Sequence, residues 1–249
     1  MKYLRRIDLL KIFARCFLIQ GSWNYQSLLG LGFCYAAIPI LKRLSFSDEE
    51  KVKFNQRHIQ FFNSHPYFAG YCLGAIAKLE EDALKKEWVD ERSIALFKER
   101  LVGPLGAIGD RLFWTNIKPG AAGFAVFLGM LVGWLAIPVF LIIYNVPHIY
   151  LRAKGVFLGY KKGFDIVSDI SERKFSKVYN LTFMAGGIAT GLCLGLALFS
   201  QFQKGHEYLA VFVVSGMIAF VANVLKKSIN LALVIASIFS ISLGFLLLR

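Results

Sequence analysis

Acidic residues are scarce in this sequence, which has 16 Asp and Glu among 249 residues against 29 Lys and Arg, a formal net charge of +13. Nucleic-acid binding uses such an excess, but the distribution of the charges argues against it here. Residues 42–118 contain nearly as many acids as bases, and the surplus of bases lies in 1–41 and 148–180, beside apolar segments. That arrangement is typical of cytoplasmic loops facing anionic headgroups. We therefore expect membrane lipid, and no nucleic acid, among the partners.

Cysteine and histidine are also rare, with four of each. No CxxC, HExxH, phosphate-binding loop, EF-hand or hydrolase-elbow motif occurs. The sequence therefore predicts no catalytic residue, no metal ion and no cofactor. The cysteines lie in apolar surroundings, which indicates small buried side chains, and they are Cys16, Cys34, Cys72 and Cys193. Three histidines are expected at ordinary surface or interface positions, namely His58, His148 and His206.

Apolar residues are abundant, at 56% of the chain with a mean hydropathy of +0.54. They form four runs without a charged residue, at 121–147, 181–203, 208–225 and 228–248. Each run has about 18 residues or more, enough for a helix to cross a hydrocarbon core of roughly 30 Å. The sequence predicts an all-α integral membrane protein, in which an amphipathic and re-entrant helical N-terminal half precedes about four long transmembrane helices.

The chain divides into two halves of different texture. Residues 1–118 mix short apolar runs with charged segments, whereas 119–249 contain the long runs and a basic loop at 148–180. Residues 1–18 have the spacing of an amphipathic helix that lies in the membrane surface. Residues 27–41 are apolar but short and contain glycine and proline, which favours a re-entrant or tilted segment over a full crossing.

Two helices are predicted in the middle of the chain. Ser47 and Glu50 have capping-box spacing, so a helix should begin after Ser47. It should end near Pro66, because proline disfavours helical geometry in the residue before it. After an apolar run, a mixed-charge helix is expected over 79–101.

The segment 103–110, Gly-Pro-Leu-Gly-Ala-Ile-Gly-Asp, is expected to break that second helix. Broken backbone at membrane depth often marks a binding site in transporters, and a surface loop is the alternative. Asp110 is a functional candidate if it lies in the membrane, and an ion pair with Arg111 is the structural alternative. If residues 42–100 are cytoplasmic, either this segment enters the membrane or the run 121–147 bends at Pro138.

Glycines at four-residue spacing in the second half predict close helix packing in lipid. They are Gly129 and Gly133 in one run, and Gly187, Gly191 and Gly195 in the next.

Polar and aromatic residues at the helix breaks of the first half are the candidates for substrate binding or translocation, because they combine hydrogen-bonding groups with aromatic platforms. They are Gln20, Trp23, Asn24, Asn63, His65, Asp110 and Trp114. A helix cap or a packing position explains each of them equally well.

Seven ordered blocks stand out in the first 170 residues, namely 17–25 (FLIQGSWNY), 31–35 (LGFCY), 38–39 (IP), 61–67 (FFNSHPY), 103–110 (GPLGAIGD), 113–114 (FW) with Pro119, and 159–163 (GYKKG). Together these blocks resemble the IID component of bacterial mannose-type (mannose/fructose/sorbose) sugar phosphotransferase systems. Beyond Lys177 the chain is shorter than is usual in the family and resembles it in hydrophobicity alone.

The resemblance implies a non-catalytic, multi-pass subunit of the bacterial cytoplasmic (inner) membrane. Family members pair with a IIC membrane subunit, in assemblies of several IIC–IID pairs, to translocate a hexose. Soluble IIA and IIB proteins carry the phosphoryl group on histidines and phosphorylate the sugar as it enters. A non-transporting scaffold or regulatory paralogue is the first alternative, and a membrane-embedded enzyme is the second. No residue selects among mannose, glucose, fructose, sorbose and amino sugars.

Overall fold

The computed structural model describes residues 3–85 and 90–204, with the isolated positions 213 and 217, and it describes only the backbone of 197–204. The α-helices among these residues are α1 Arg6–Cys16, α2 Gly30–Arg43, α3 Asp48–His58, α4 Ala69–Leu84, α5 Glu91–Gly109, α6 Lys118–Val132, α7 Ala136–Lys162 and α8 Glu172–Lys204. A π-helical segment, Asp110–Ile117, joins α5 to α6, and 3₁₀ turns join α6 to α7 and follow α7. The predicted runs 208–225 and 228–248 lie outside the described residues.

The prediction of an all-α membrane protein is confirmed. Two helical stretches, Glu91–Asp169 and Glu172–Leu196, contain windows long and apolar enough to cross a membrane. Their apolar side chains face outward, as Leu141, Phe183 and Ile188 show. No β-strand occurs in 3–85 or 90–204, where two isolated bridges near Leu28 are the extent of β-pairing.

The apolar run 121–147 is a helical hairpin. Gly133 ends α6 with φ +60°, a left-handed conformation that glycine adopts without a Cβ clash. The chain reverses there, and Phe124 of α6 and Ile143 of α7 line a common cavity. The bend therefore lies at Gly133 and not at Pro138, because a proline in the first turn of a helix removes no hydrogen bond that the helix needs.

The segment 103–110 does not break the helix, contrary to expectation. The helix α5 continues through Pro104 to Gly109, and the π-helical segment then carries the chain into α6. A π segment shifts the hydrogen-bond register without ending the helix, and such segments are frequent at functional sites. The irregularity that the sequence indicates is therefore a change of register at Asp110.

The basic segment 148–180 is mostly helical. Residues 148–162 are the C-terminal half of α7, 163–169 are a 3₁₀ turn, and α8 begins at Glu172. The predicted loop is wrong for these residues, because the helix α7 is stabilised by packing on α4 that the local charge pattern does not reveal.

In the N-terminal half, α1 buries Leu9, Ile12 and Cys16 and exposes Ile7 and Leu10. The predicted capping box of α3 is confirmed. The Glu50 N–H donates to Ser47 Oγ at 3.2 Å, and the Ser47 N–H donates to the Glu50 carboxylate at 2.7 Å. The helix ends at His58, earlier than predicted.

The expected helix 79–101 is divided between α4 and α5. The helix α4 ends at Leu84, and α5 begins after Asp90, whose carboxylate accepts from the Ser93 N–H at 2.6 Å as an N-cap. An aspartate at this position starts a new helix by satisfying an orphan N–H group.

Glycines form the crossing of α4 and α7, the largest helix contact of the described chain. A Cβ at Gly74 would lie 2.1 Å from the Val156 carbonyl oxygen, and one at Gly159 would lie 2.4 Å from that of Tyr71. A Cβ at Gly70 or at Gly155 would also lie too close to the facing helix, with its nearest neighbour at 2.7 Å. The two backbones therefore touch, which only glycine permits.

The glycines that the sequence singles out lie elsewhere. A Cβ at Gly129 would meet Ala136 at an ordinary 3.5 Å, and Gly133 is a turn residue. Gly187, Gly191 and Gly195 have no described neighbour within 4 Å of such a Cβ. Close packing of this α8 stripe stays a prediction for surfaces beyond the described residues.

Candidate functional site

Aromatic and basic side chains from four parts of the chain meet just before α4 begins. They come from the turn after α1, from the segment before α4, from the π-helical segment and from α7. We call this set the aromatic cluster, and its members are Phe17, His65, Tyr67, Phe113, Trp114, Tyr144, His148 and Arg152.

His65 is 2% exposed and packs against the π-helical segment. Its ring stacks on Phe113, with centroids 5.3 Å apart, and lies 5.2 Å from the Trp114 ring. Burial, with the charge of Arg152, lowers the pKa of His65 to about 3, so the ring is neutral at physiological pH.

The tautomer of His65 follows from its hydrogen bond. The Tyr67 N–H donates to His65 Nδ1 at 3.2 Å, so Nδ1 is an acceptor and Nε2 bears the proton. This Nε2–H donor is buried and has no acceptor among the described residues. A buried donor of this kind is a candidate for contact with a partner or a ligand.

Tyr67 connects α4 to α7. Its ring stacks on His148, with centroids 4.4 Å apart, and its hydroxyl is 2.8 Å from the hydroxyl of Tyr144. Asn145 donates through Nδ2 to the Leu141 carbonyl, so its Oδ1 accepts from His148 Nε2 at 2.8 Å. His148 Nδ1 is consequently a buried acceptor without a partner in the described chain.

Arg152 is 3% exposed and has no carboxylate partner among the described residues. Its Nη1 donates to the Cys16 carbonyl, and its guanidinium lies 4.8 Å from the Tyr67 ring centroid and 5.0 Å from that of Phe17. The aromatic faces and the carbonyl replace a counter-ion, a role that suits a planar, weakly hydrated guanidinium.

Beside the cluster, an exposed stripe follows one side of the π-helical segment at four-residue spacing. Asp110, Trp114 and Lys118 are exposed, and the Lys118 ammonium lies 4.8 Å from the Trp114 ring centroid. Asp110 makes no ion pair with Arg111, which pairs with Glu172 at 3.5 Å. The stripe offers an acid, an indole and a cation to a neighbouring surface.

The other predicted residues lie in or beside the loop between α1 and α2. Asn24 organises this loop, because its Oδ1 accepts from the N–H groups of Gln26 and Ser27. The adjacent Leu29 N–H donates to the Phe62 carbonyl at 3.0 Å, which places the loop next to exposed Asn63. Gln20 and Trp23 are exposed here as well.

The structure thus brings His65 and Trp114 together and leaves Gln20, Trp23, Asn24 and Asn63 in a separate group. Sequence reasoning missed the other six members of the aromatic cluster, which are Phe17, Tyr67, Phe113, Tyr144, His148 and Arg152. The available signal was the four-residue spacing of Tyr144, His148 and Arg152, which puts them on one face of a helix.

The expected surface or interface role is wrong for His148 and His58, which are 7% and 0% exposed, and His206 lies outside the described residues.

A second buried network holds α3 against α4 and α5. Arg57 donates to both carboxylate oxygens of Glu80, and His58 Nε2 lies 2.8 Å from the same carboxylate. Lys98 donates to the carbonyls of Arg57, His58 and Gln60 at 2.9 to 3.3 Å, so it caps the C-terminus of α3. This network is structural, because each charge has a partner inside the fold.

Comparison with known proteins shows the family to which this chain belongs. The family described as the PTS system mannose/fructose/sorbose family IID component matches residues 3–195. The chain belongs to this IID family. The mannose-specific EIID component of Escherichia coli K12 is 33% identical over 205 residues, 82% of this chain and 68% of that protein. The sorbose-specific EIID component of Klebsiella pneumoniae is 34% identical over 171 residues, 69% of this chain and 62% of that protein.

A solved structure agrees with this assignment. The IID chain is similar to a chain in the structure of the mannose transporter ManYZ with microcin E492, with a TM-score of 0.64 and 33% identity. The similarity covers 77% of this IID component and 70% of that chain. The chain is therefore a membrane component of the mannose-type phosphotransferase family.

Proposed function

We propose that this IID component pairs with a IIC subunit and translocates a mannose-type hexose, coupled to phosphorylation of the sugar by IIA and IIB. The phosphoryl chemistry belongs to the soluble partners, and this chain supplies part of the membrane passage. The bacterial cytoplasmic membrane is the proposed location, and several IIC–IID pairs form the proposed assembly.

The main support for the proposal is that the family-like sequence blocks contact one another in the folded chain. His65, from the block 61–67, packs on Gly109 of the block 103–110 and on Phe113 of the block 113–114. A Cβ at Gly32 would lie 1.9 Å from the Ile19 carbonyl oxygen, so the first two blocks are also in backbone contact. Blocks that are distant in sequence thus form one packed unit, which supports retention of the family's transport role.

Within that unit, we propose that the exposed stripe faces the IIC subunit or the sugar path. The buried ring of Phe113 fixes the orientation of the π-helical segment, and Asp110 and Trp114 project from it. A carboxylate that accepts hydrogen bonds and an indole that stacks on a sugar ring are the groups that hexose recognition uses. We propose that a second group contributes to the same interface, comprising the exposed Gln20, Trp23 and Asn63 and the half-buried Asn24.

Sugar uptake tests the proposal. The chain is expressed with its IIC, IIA and IIB partners in a bacterium that lacks its own mannose-type system, and uptake of labelled mannose, glucose, fructose, sorbose and glucosamine is measured. Uptake of at least one sugar should require IID. If IID and IIC copurify and none of these sugars enters, the scaffold or regulatory role replaces transport.

Single variants test the stripe. Asp110→Asn and Trp114→Ala should each lower uptake at least tenfold, which corresponds to about 1.4 kcal/mol. Copurification with IIC should persist if the stripe faces the sugar path, and it should fall together with uptake if the stripe faces IIC. Thr115→Ala, at an exposed neighbouring position, is the matched control and should retain uptake. Normal uptake in both stripe variants would remove Asp110 and Trp114 from the proposed path.

A further inference from the structure

A groove rich in basic side chains lies between α1 and α2, away from the aromatic cluster. It encloses about 360 Å³ and is lined by Asp8, Lys11, Arg15, Pro39, Lys42 and Arg43. We call it the basic groove. Four cations and one carboxylate line it, so its field attracts an anion.

Three of the charged side chains of the groove already have partners within the fold, and two cations do not. Asp8 is buried, accepts from the Arg5 N–H at 2.9 Å and lies 3.5 Å from Arg43 Nε. Arg43 also donates to the Tyr3 carbonyl, and Arg15 donates to the Tyr35 carbonyl. These bonds hold both arginines in place at the rim.

Lys11 and Lys42 are the free cations. Both are exposed and have no hydrogen-bond or ion-pair partner in the part of the chain that the structure describes. They line the same groove from two different helices. An anion between them would neutralise both at once, with the arginines close by.

An exposed apolar strip adjoins the groove on α1. Ile7 and Leu10 are half exposed on the helix, and Phe17 and Leu18 are exposed just beyond its end. Ile7 precedes Lys11 by four residues, so the strip and the groove are neighbouring faces of one helix. Apolar side chains beside cations are the pattern of a helix that lies at the level of lipid headgroups.

We propose that the basic groove binds the phosphate of an anionic phospholipid of the surrounding membrane, while the adjoining strip contacts its acyl chains. The ligand chemistry is a phosphodiester, which the two free lysines recognise beside the two engaged arginines and which an acidic lipid supplies in the plane of the strip. Because α1 also packs on α7, a lipid held here anchors the N-terminal helix to the membrane beside the hairpin. This inference rests on membership of the membrane family, and its test uses the proposed pairing with IIC but does not depend on transport.

The test uses the full-length IIC–IID complex in nanodiscs of phosphatidylcholine with a minor fraction of phosphatidylglycerol. After detergent extraction, the phosphatidylglycerol retained per complex is measured by lipid mass spectrometry. The double variant Lys11→Gln/Lys42→Gln should lower retention about fivefold per lysine, roughly twenty-fivefold together, since each lysine at an anionic surface contributes ~1 kcal/mol. Neither lysine bonds within the described fold, so the variant should assemble normally.

The matched control is Lys51→Gln/Lys53→Gln, which removes two exposed lysines from α3. It should retain phosphatidylglycerol as the unaltered complex does. Equal retention in the groove variant, or an equal loss in the control, would overturn a specific site. Uptake is measured in parallel, and failure of transport in the unaltered complex leaves the lipid result readable.

Two further arms separate other occupants. Inorganic phosphate, added to complexes in pure phosphatidylcholine nanodiscs, should not raise the midpoint of thermal unfolding. A rise that the groove variant abolishes would mean that free phosphate is the ligand, and the lipid proposal fails. Full lipid retention with loss of IIB binding in the groove variant would mean a protein docking surface, which also overturns the proposal.

Discussion

Gly109 and His65 are in contact so close that a Cβ at position 109 would lie 2.2 Å from the Cβ of His65. No real side chain occupies such a space, so the residue before the π-helical segment must be glycine for His65 to stack on Phe113. This contact joins the start of α4 to the end of α5 and fixes the position from which the π-helical segment begins.

Gly109→Ala should therefore lower the stability of the complex. Overpacking at a rigid contact costs about 1–3 kcal/mol, which exceeds the gain of about 1 kcal/mol that alanine brings to a helix. The midpoint of thermal unfolding of the purified IIC–IID complex measures the change. Gly106→Ala is the control, because its Cβ would come no closer than 3.8 Å to its neighbours, and it should be neutral or stabilising. The same midpoint in both variants would show that His65 can shift to accommodate a Cβ at position 109.

Arg152→Gln should loosen α1 from α7. The change removes the guanidinium that donates to the Cys16 carbonyl and lies against the rings of Tyr67 and Phe17, an expected loss of about 1–3 kcal/mol. Lys154→Gln, two residues along the same helix and exposed, is the control and should change stability by less than about 0.5 kcal/mol. Hydrogen exchange of the α1 amides provides the measurement, and unchanged protection in Arg152→Gln would refute the role of the arginine.

Lys98→Met should destabilise the end of α3. Methionine fills a similar space but donates no hydrogen bond, so the three carbonyls that Lys98 caps lose their partner, at about 1–3 kcal/mol. Faster proteolysis within residues 58–62 is the expected observation. Lys53→Met, at an exposed position on the same helix, should be cleaved at the rate of the unaltered protein. Equal rates for Lys98→Met would show that α3 ends stably without the cap.

Acidification should destabilise the α3–α4 contact through His58. Complete burial lowers the pKa of His58 below its ordinary value of 6.5, despite the opposing influence of Glu80. His58 therefore binds a proton in the unfolded chain at a pH at which it stays neutral in the folded chain. The free energy of unfolding consequently falls as the pH drops below 6.5.

Glu80 adds to this loss at lower pH. Burial disfavours its carboxylate, but the His58 hydrogen bond and the Arg57 charge outweigh burial and lower its pKa below 4.5. Its contribution to stability disappears as the pH falls through that depressed pKa. His58→Gln should therefore reduce the difference in unfolding midpoint between about pH 7.5 and about pH 5.5. Over this range, the free energy of unfolding falls by up to about 1.4 kcal/mol per pH unit through His58. An unchanged difference would assign the acid sensitivity to other groups.

The site shows how far sequence reasoning reaches. The sequence predicts His65 and Trp114 as site residues because they are polar or aromatic residues at predicted helix breaks, and they do lie in contact. The sequence does not single out Tyr67, His148 and Arg152, because their significance arises from contact between two segments that are far apart in the chain. The four-residue spacing of Tyr144, His148 and Arg152 indicates a common helix face, but it does not show whether that face is buried or exposed.

The sequence by itself determined the membrane class, the helical content and the capping box of α3. These features depend on local composition and short spacing, since uncharged runs partition into lipid wherever they occur and a cap involves residues three apart. Only the tertiary structure decided that the run 121–147 is a hairpin, that the helix continues through Pro104, and that α4 and α7 cross on glycines. Each of these outcomes depends on which distant surface packs against the segment, and that choice is made by shape and close packing rather than by the segment's own residues.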